Sequence, residues 1–475
     1  MMERFSRMKL SAYLLLTSVT FSYMVLLPQG AGAGVLAFML LQFASIVFIL
    51  PNKKVLWWLL PAAVLSMNFF LSGNGIWRAS NGMVLLLLFA GMYCSMQKKF
   101  DWRDTSPRFF GKVFESLFSA VINAFVPFGW VGKIEKRHLS LIKRISIGIF
   151  LSIPCLLFLI LLLSSADEVF CHSIEEVCTR LFNLVSWNVC YKIFLGGLAG
   201  MYLFGLLYSV FQPPAEEEVH LPAPKNRDAL VLNIVLATVL STYTAFIFIQ
   251  FKYLFAGTSL PYGLSYTNYA RRGFFELLFL SGVNLAVILF SVGMTKKKTG
   301  LSRGLTQGFC CYLCVITFVL LASSFYRMRL YCADDGLTRL RLLVLGFLVF
   351  ESLGLIGTLL YIVRPKFNII ALYLTVGLSY YLLLNLIPID RLVAKDQIDR
   401  YFSGRTDGVA YVMTLSSDAA PEIRRLLEPQ VTGQKTRELA RAYFQELQEP
   451  NLVPRWQRYN LSVSRALQIA EQLEQ

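Results

Sequence analysis

Charge is scarce in this chain: Asp, Glu, Lys and Arg make up 16% of its 475 residues, where a soluble domain carries about 25%. That shortage excludes an ordinary soluble enzyme of this size, and a 56% share of hydrophobic residues excludes disorder. Histidine is scarcer still, with only His138, His172 and His220, widely separated. The patterns HExxH, GxxxxGK[ST], GxSxG and a GxGxxG following a strand are all missing. Zinc enzymes, nucleotide-driven pumps and ordinary hydrolases therefore lack their signatures, and no cofactor or metal is implied. Acids are the rarer half of the little charge there is, 29 against 45 Lys and Arg, giving +16. On a soluble protein that excess points to nucleic acid; on a chain of mean hydropathy +0.56 it points first to the cytoplasmic loops of a membrane protein.

What the chain has in plenty is long apolar runs. A membrane helix needs roughly 20 mostly apolar residues to cross about 30 Å of hydrocarbon. Eleven such runs occur, near 10–28, 32–50, 55–72, 79–97, 145–165, 188–211, 229–251, 273–294, 306–326, 342–363 and 367–388. The fold class expected is all-α: a polytopic transmembrane bundle of about eleven spans with a small helical soluble domain at the C-terminus. The first run follows Arg4, Arg7 and Lys9 as a signal peptide would, but its length and the run Gln29 to Gly34 that leads into the second span identify a retained helix. With the N-terminus inside, the inner segments hold 23 basic residues and the outer loops 9, the asymmetry expected of a cytoplasmic N-terminus. Most of the charge is thus a record of topology, and no nucleic-acid partner is expected.

The organisation along the chain follows from composition. Residues 1–211 carry spans one to six, 212–228 (QPPAEEEVHLPAPKNRD) read as a flexible linker, 229–388 carry spans seven to eleven, and 389–475 form the tail. The tail holds 12 basic and 12 acidic residues, is punctuated by Gly and Pro into short helices, and by the odd span count lies outside. Within the first part, 107–129 is predicted to be an amphipathic helix on the inner interface. Lys112, Glu115, Ser116, Ser119 and Asn123 share one face; Phe110, Val113, Phe114, Leu117, Val121 and Phe125 share the other, with Ser106 and Pro107 as cap and first residue. Lipid contact and packing on the bundle are both open to it. Gly196 and Gly200 form GxxxG, a spacing that lets two helices touch.

Ionisable groups inside hydrocarbon are expensive and so mark candidate sites. Glu276 lies one turn into the eighth span, four residues after Arg272, and reads either as one half of an i,i+4 pair or as a ligand group. Glu351 lies ten residues after Arg341 in the tenth span, about 15 Å deep at 1.5 Å per residue, with no basic residue of its own helix at that depth. On the outer side Arg271, Arg272, Arg327, Arg329, Arg339 and Arg341 fall beside helix ends. Arg327 and Arg329 read as a helix C-terminus, and Arg339 and Arg341 as a helix start that needs partners, for which Asp334 and Asp335 are at hand, Asp335 to Arg339 at i,i+4. The surplus of guanidinium suits a phosphate or carboxylate, and the alternative is a salt-bridge lattice tying the eighth to tenth spans together. Tyr262, Tyr266, Tyr269, Tyr326 and Tyr331 surround this group, as expected at a membrane interface. Cys310, Cys311 and Cys314 sit within the ninth span as packing groups, and Cys171, Cys178, Cys190 and Cys332 fall on the outer side.

Several pieces resemble a family of bacterial membrane proteins known as domain of unknown function four-one-seven-three, with its sister family four-one-five-three. They are SSADEVF (164–170), YARRGFFELL (269–278), RMRLY (327–331), DGLTRLR (335–341), DRLVAKDQIDRY (390–401) and LSSDAAPEI (415–423). The sequence departs from the pattern at Asp334-Asp335, where tyrosine is expected. The resemblance implies a polytopic protein with a soluble tail and gives no activity. The function expected is a non-enzymatic sensory or regulatory membrane protein surrounded by membrane lipids. It would bind an anionic lipid or solute through Arg271, Arg272, Glu276, Arg327, Arg329, Arg339, Arg341 and Glu351, with the tail open to a protein partner. The alternative is a secondary transporter with Glu351 as proton or cation relay; a membrane-embedded enzyme using Glu276 or Asp335 ranks third.

Overall fold

The computed structural model describes residues 2–28, 31–50, 53–96, 108–131, 187–212, 229–250, 274–295, 301–364, 367–406, 408–428, 432–447 and 456–474, with the single residues 152 and 159. Among them every regular element is helical. In chain order they are α1 Met2–Phe21, extended by a π turn Ser22–Leu26, α2 Ala33–Ile49, α3 Lys53–Leu71, α4 Gly75–Met96, α5 Arg108–Asn123, α6 Val126–Val131, α7 Trp187–Tyr208, α8 Ala229–Gln250, α9 Phe274–Thr295, α10 Leu301–Asp335, α11 Arg339–Val363 and α12 Ile369–Leu386. The tail follows as α13 Ile389–Phe402, a run of short turns around α14 Ala420–Ile423, α15 Gln434–Leu447 and α16 Leu461–Glu474. Among the described residues eight helices are long and apolar enough to cross a membrane (α1, α4, α7 to α12), and α2 and α3 carry shorter apolar stretches. The chain is a multi-pass membrane protein. Apart from residues 152 and 159, the run 145–165 lies outside the described residues, as do the linker 213–228, Cys171, Cys178 and Tyr262 to Arg272.

The apolar spans α1 to α4 and α7 to α12 alternate in direction, so their ends sort into two sets. At one end the tail meets the α1–α2, α3–α4 and α10–α11 turns: Ala33 donates to Tyr459 O, Gly73 N to Asp418, and Arg400 to the last carbonyls of α10. At the far end Asn233 of α8 meets Ser302, Gln307 of α10 meets Ile362 O of α11, and Cys94 of α4 packs on Ile370 and Leu374 of α12. Local sequence sets these turns. Asn74 caps α4 by accepting from Ile76 N (3.0 Å), Thr338 caps α11 and Asn368 caps α12. Gly336, with φ +79°, takes the left-handed step after α10, where a Cβ would also press on Gln397.

The GxxxG pair does what its spacing suggests. Gly196 and Gly200 of α7 lie directly on Ser22 and Ser18 of α1, the two helices running antiparallel. The amphipathic helix departs from expectation in one way, its break, and settles a point the sequence left open, the face it buries. It breaks after Asn123, because Pro127 has no N–H to offer the Asn123 carbonyl, and resumes as α6. And it buries its small, polar face: Ser116, Ala120 and Asn123 pack on α7, with Asn123 reaching Gly205 O and Gln212, while Phe114, Phe118 and Ile122 are exposed. The bundle thus takes the face that allows close approach, together with the flanking Val113 and Leu117, and leaves Phe114, Phe118, Val121 and Ile122 outward.

Candidate functional site at the tail junction

Helix C-termini leave carbonyls without partners, and at one end of the bundle it is the tail that supplies the donors. Arg400 of α13 donates to Cys332 O (2.9 Å), Ala333 O (3.1 Å) and Asp334 O (3.2 Å) at the end of α10. Asn460 donates to Phe69 O (2.9 Å) and Ser72 O (2.7 Å) at the end of α3. Asp396 completes the first contact, accepting from Leu337 N (2.7 Å) and from Arg400 Nε (3.0 Å). A guanidinium at a helix C-terminus is also favoured by the dipole. Arg400→Met should therefore cost about 1.5–3 kcal/mol, the range for hydrogen bonds to a charged group, read as a lower melting temperature of the purified protein.

The centre of the junction is Asp390, in the first turn of α13. Its side chain has 0% exposure and that of Arg339 25%. Arg339 grips both carboxylate oxygens, Nη2 to Oδ2 at 2.6 Å. The same carboxylate accepts from Ser416 N (3.1 Å), Ser416 Oγ and Asn74 Nδ2 (3.1 Å). Beside it Asp418 accepts from Ser72 Oγ (2.6 Å) and Gly73 N (2.9 Å). One carboxylate thereby joins α11, the α3–α4 turn and two parts of the tail. Burial alone would push the Asp390 carboxyl up, but the bonds and charge of Arg339 and the bonds from Ser416 outweigh it and hold the group below its ordinary range. A depressed pKa stabilises the folded form above the unfolded value of about 3.9 and loses that contribution as pH falls through the lower folded value. Tail resistance to proteolysis should accordingly hold down to about pH 4 and fall only below it.

A second polar layer lies just beneath. Asn81 of α4 donates to Asn385 of α12 (2.7 Å), Asn68 of α3 to Asn385 O (2.9 Å), and Tyr381 Oη to Asn81 (2.7 Å). Between this layer and the tail is a cavity of about 250 Å³, lined by Asn68, Asn385, Asp390, Asp418, Arg391 and Arg465 among others. Its two carboxylates are the ones already taken by donors. Arg391 lies on the lining with its side chain 53% exposed and meets Glu422 at 3.1 Å, while Arg465 is exposed.

The residues singled out from sequence do not line this cavity. Arg271 and Arg272 lie outside the described residues. Glu276 is exposed in the first turn of α9, where the dipole suits an acid. Arg327 is buried and Arg329 exposed, and they are not at a helix terminus, because α10 runs on to Asp335. At 35 residues that helix is about 52 Å long, more than the roughly 30 Å of hydrocarbon requires. Arg339 pairs with Asp390 and not with Asp335: the left-handed step at Gly336 ends the helix between them, which removes the i,i+4 geometry. Asp335 instead meets Arg341 (3.3 Å), whose guanidinium also donates to Gly336 O and lies 3.8 Å over the Tyr331 ring. The lattice expected among the eighth to tenth spans is thus, at Arg339, a tie between span and tail. Glu351 is buried on α11 with Ser281 of α9 as a hydrogen-bonding neighbour, and its Oε2 has no partner among the described residues. Arg329 lines a separate apolar groove of about 550 Å³ with Tyr326 and Leu348.

Three of the pieces that resembled a known family, DGLTRLR, DRLVAKDQIDRY and LSSDAAPEI, supply Arg339, Asp390 with Asp396 and Arg400, and Ser416 with Asp418. A family model described as a domain of unknown function (DUF4153) matches residues 59–426. The chain belongs to that family. Of the two sister families suggested by the motifs, this is the second. The DUF4153 match runs from within α3 to just past α14 and so takes in the whole Asp390 cluster. No curated protein and no solved structure matches the chain.

Sequence reasoning passed over Asp390, Asp418 and the amides Asn68, Asn81 and Asn385. The amides had a signal: three lie inside or at the edge of apolar runs, where an unsatisfied amide is costly and interhelical hydrogen bonds are its remedy. Asp390 stood in view as the first residue of a quoted motif, four residues past the last apolar helix.

Proposed function

We propose that the protein is a non-enzymatic sensory or regulatory membrane protein, whose tail docks on the bundle and reports an anionic lipid head group or solute bound at the junction. The observation that carries this reading is the cavity under the tail. Its carboxylates are committed to Arg339, Ser416, Asn74, Ser72 and Gly73, so the charge left to a visitor is that of Arg391 and Arg465. The anion-binding role expected of Arg339 and Arg341 passes to Arg465 and to Arg391, whose guanidinium meets Glu422 through Nε but is half-exposed, whereas the Arg339 and Arg341 side chains are largely covered by the protein itself. Lys53, Lys54 and Arg364 lie at helix termini of the far end, and Lys296 to Lys298 and Lys366 adjoin such termini in sequence; by the positive-inside rule this pattern supports a cytoplasmic far end, with the tail and the cavity outside.

The test uses full-length protein in nanodiscs of phosphatidylcholine, with and without phosphatidylglycerol, and with inorganic phosphate or acetate added to the neutral discs. Binding at the junction slows proteolysis of the tail, and Arg391→Gln with Arg465→Gln abolishes the effect. Equal protection in the double variant sinks the reading. A second reading, secondary transport, rests on Glu351, whose buried Oε2 has no partner among the described residues. It predicts proton-coupled solute uptake in proteoliposomes that Glu351→Gln removes; absence of any coupled flux in the parent protein disposes of it.

A further inference from the structure

On the flank of the bundle, α10 and α11 leave a groove of about 550 Å³ between them. Its floor is Leu321 and Leu348, both buried, and its walls are the exposed Phe325, Tyr326, Val349 and Leu353. Ser352, also on the lining, is satisfied within its own helix, donating to Leu348 O (2.8 Å). The lining holds no acid and offers water few partners over most of its length. The exception is one end, where Arg329 lines it. Arg339 and Arg341 are held by Asp390 and Asp335, and Arg327 is buried. Arg329 is exposed, and its side chain has no ion pair or hydrogen bond among the described residues. The neighbouring helix gives its level. Arg341, just ahead of the apolar run 342–363, lies over the Tyr331 ring, and Arg329 is two residues, about 3 Å, deeper along α10. The guanidinium thus lies near the level where α11 turns from polar to apolar. From Arg329 down to Phe318, the last lining residue on α10, the helix runs eleven residues, about 16 Å. That is close to one leaflet, half of roughly 30 Å of hydrocarbon.

We infer that this groove holds one acyl chain of a phospholipid of the tail-side leaflet, with the lipid phosphate on Arg329. The apolar lining suits a hydrocarbon chain, and its length from Arg329 is that of a chain hanging from the head-group level. A guanidinium suits phosphate because its planar fork can donate to two oxygens at once. With no acid on the lining, the charge of Arg329 is left to the lipid. The groove shares no lining residue with the cavity under the tail, so the site goes beyond the junction and does not depend on Arg391 or Arg465.

The experiment places the full chain in phosphatidylcholine nanodiscs doped with one of two probes, phosphatidylglycerol or diacylglycerol, each with a photoactivatable diazirine on one acyl chain. The two differ in the phosphate-bearing head group and share the chain. Labelled positions are mapped by mass spectrometry, with the exposed stretch 244–248 of α8, toward the same end of the bundle, as the reference. The phosphatidylglycerol probe labels 318–326 and 348–353 several-fold more than the reference, and the diacylglycerol probe does not. Arg329→Gln, at an exposed position, removes the excess given by phosphatidylglycerol. Ala322→Trp, which fills the groove from an exposed position, removes labelling of 348–353 and leaves 244–248 unchanged. Arg391→Gln with Arg465→Gln leaves labelling of the groove as in the parent. Groove labelling no higher than the reference, equal for the two probes, or unaffected by Arg329→Gln overturns the inference.

Discussion

Asp390→Ala releases the tail from the bundle. The substitution removes one carboxylate and with it the grip of Arg339, both bonds from Ser416 and the bond from Asn74. Breaking a buried ion pair by removing one partner costs about 3–5 kcal/mol, chiefly because a charge is left buried and alone. Here the Arg339 side chain is one-quarter exposed, so the lower end of that range applies. Limited proteolysis in detergent should cut the tail after α12 many times faster than in the parent, while the bundle survives. Arg339→Met combined with Asp390→Leu should recover part of the loss, since an apolar pair leaves no uncompensated charge, although Ser416 and Asn74 remain without their acceptor. If the double variant is as labile as Asp390→Ala, the hydrogen bonds of Ser416 and Asn74 outweigh the ion pair.

Gly200→Leu separates α1 from α7. A Cβ at this position overlaps Ser18, and one at Gly196 overlaps Ser22, so a leucine forces two backbones apart where small residues let them touch. Overpacking costs about 1–3 kcal/mol where side chains can shift, and here the obstruction includes the Ser18 backbone, which yields less. Gly197, on the same helix, has nothing within 4 Å of its Cβ position, and Gly197→Leu is the matched control. The expected result is a clear loss of thermal stability for Gly200→Leu with Gly197→Leu near the parent.

The spans were legible because a run such as 342–363 has one way to satisfy its backbone in hydrocarbon, and that is a helix. Ten of the eleven expected spans fall on described helices, eight of them long and apolar enough to cross a membrane. The chemistry of the junction was less legible for a simple reason: Arg339 finds its partner 51 residues away, and periodicity reports only neighbours within one helix. Asp335 looked like the partner because i,i+4 assumes an unbroken helix, and Gly336 breaks it. The face that α5 buries was likewise open from sequence. Aromatic residues drive burial in water, but beside lipid the small, polar face packs and the aromatic face stays outward. The resemblance, by contrast, pointed the right way without explaining itself, since three of its short pieces are brought together by Asp390.

The central claim is that this one carboxylate holds three separate parts of the chain in a single unit. Hydrogen exchange on the full-length protein in nanodiscs, comparing the parent with Asp390→Asn, tests it most directly. The account predicts that protection falls together at the α3–α4 turn (72–75), at 336–339 and at 415–418, with the spans unchanged. Loss confined to the first turn of α13, with the other three segments exchanging as in the parent, would contradict it.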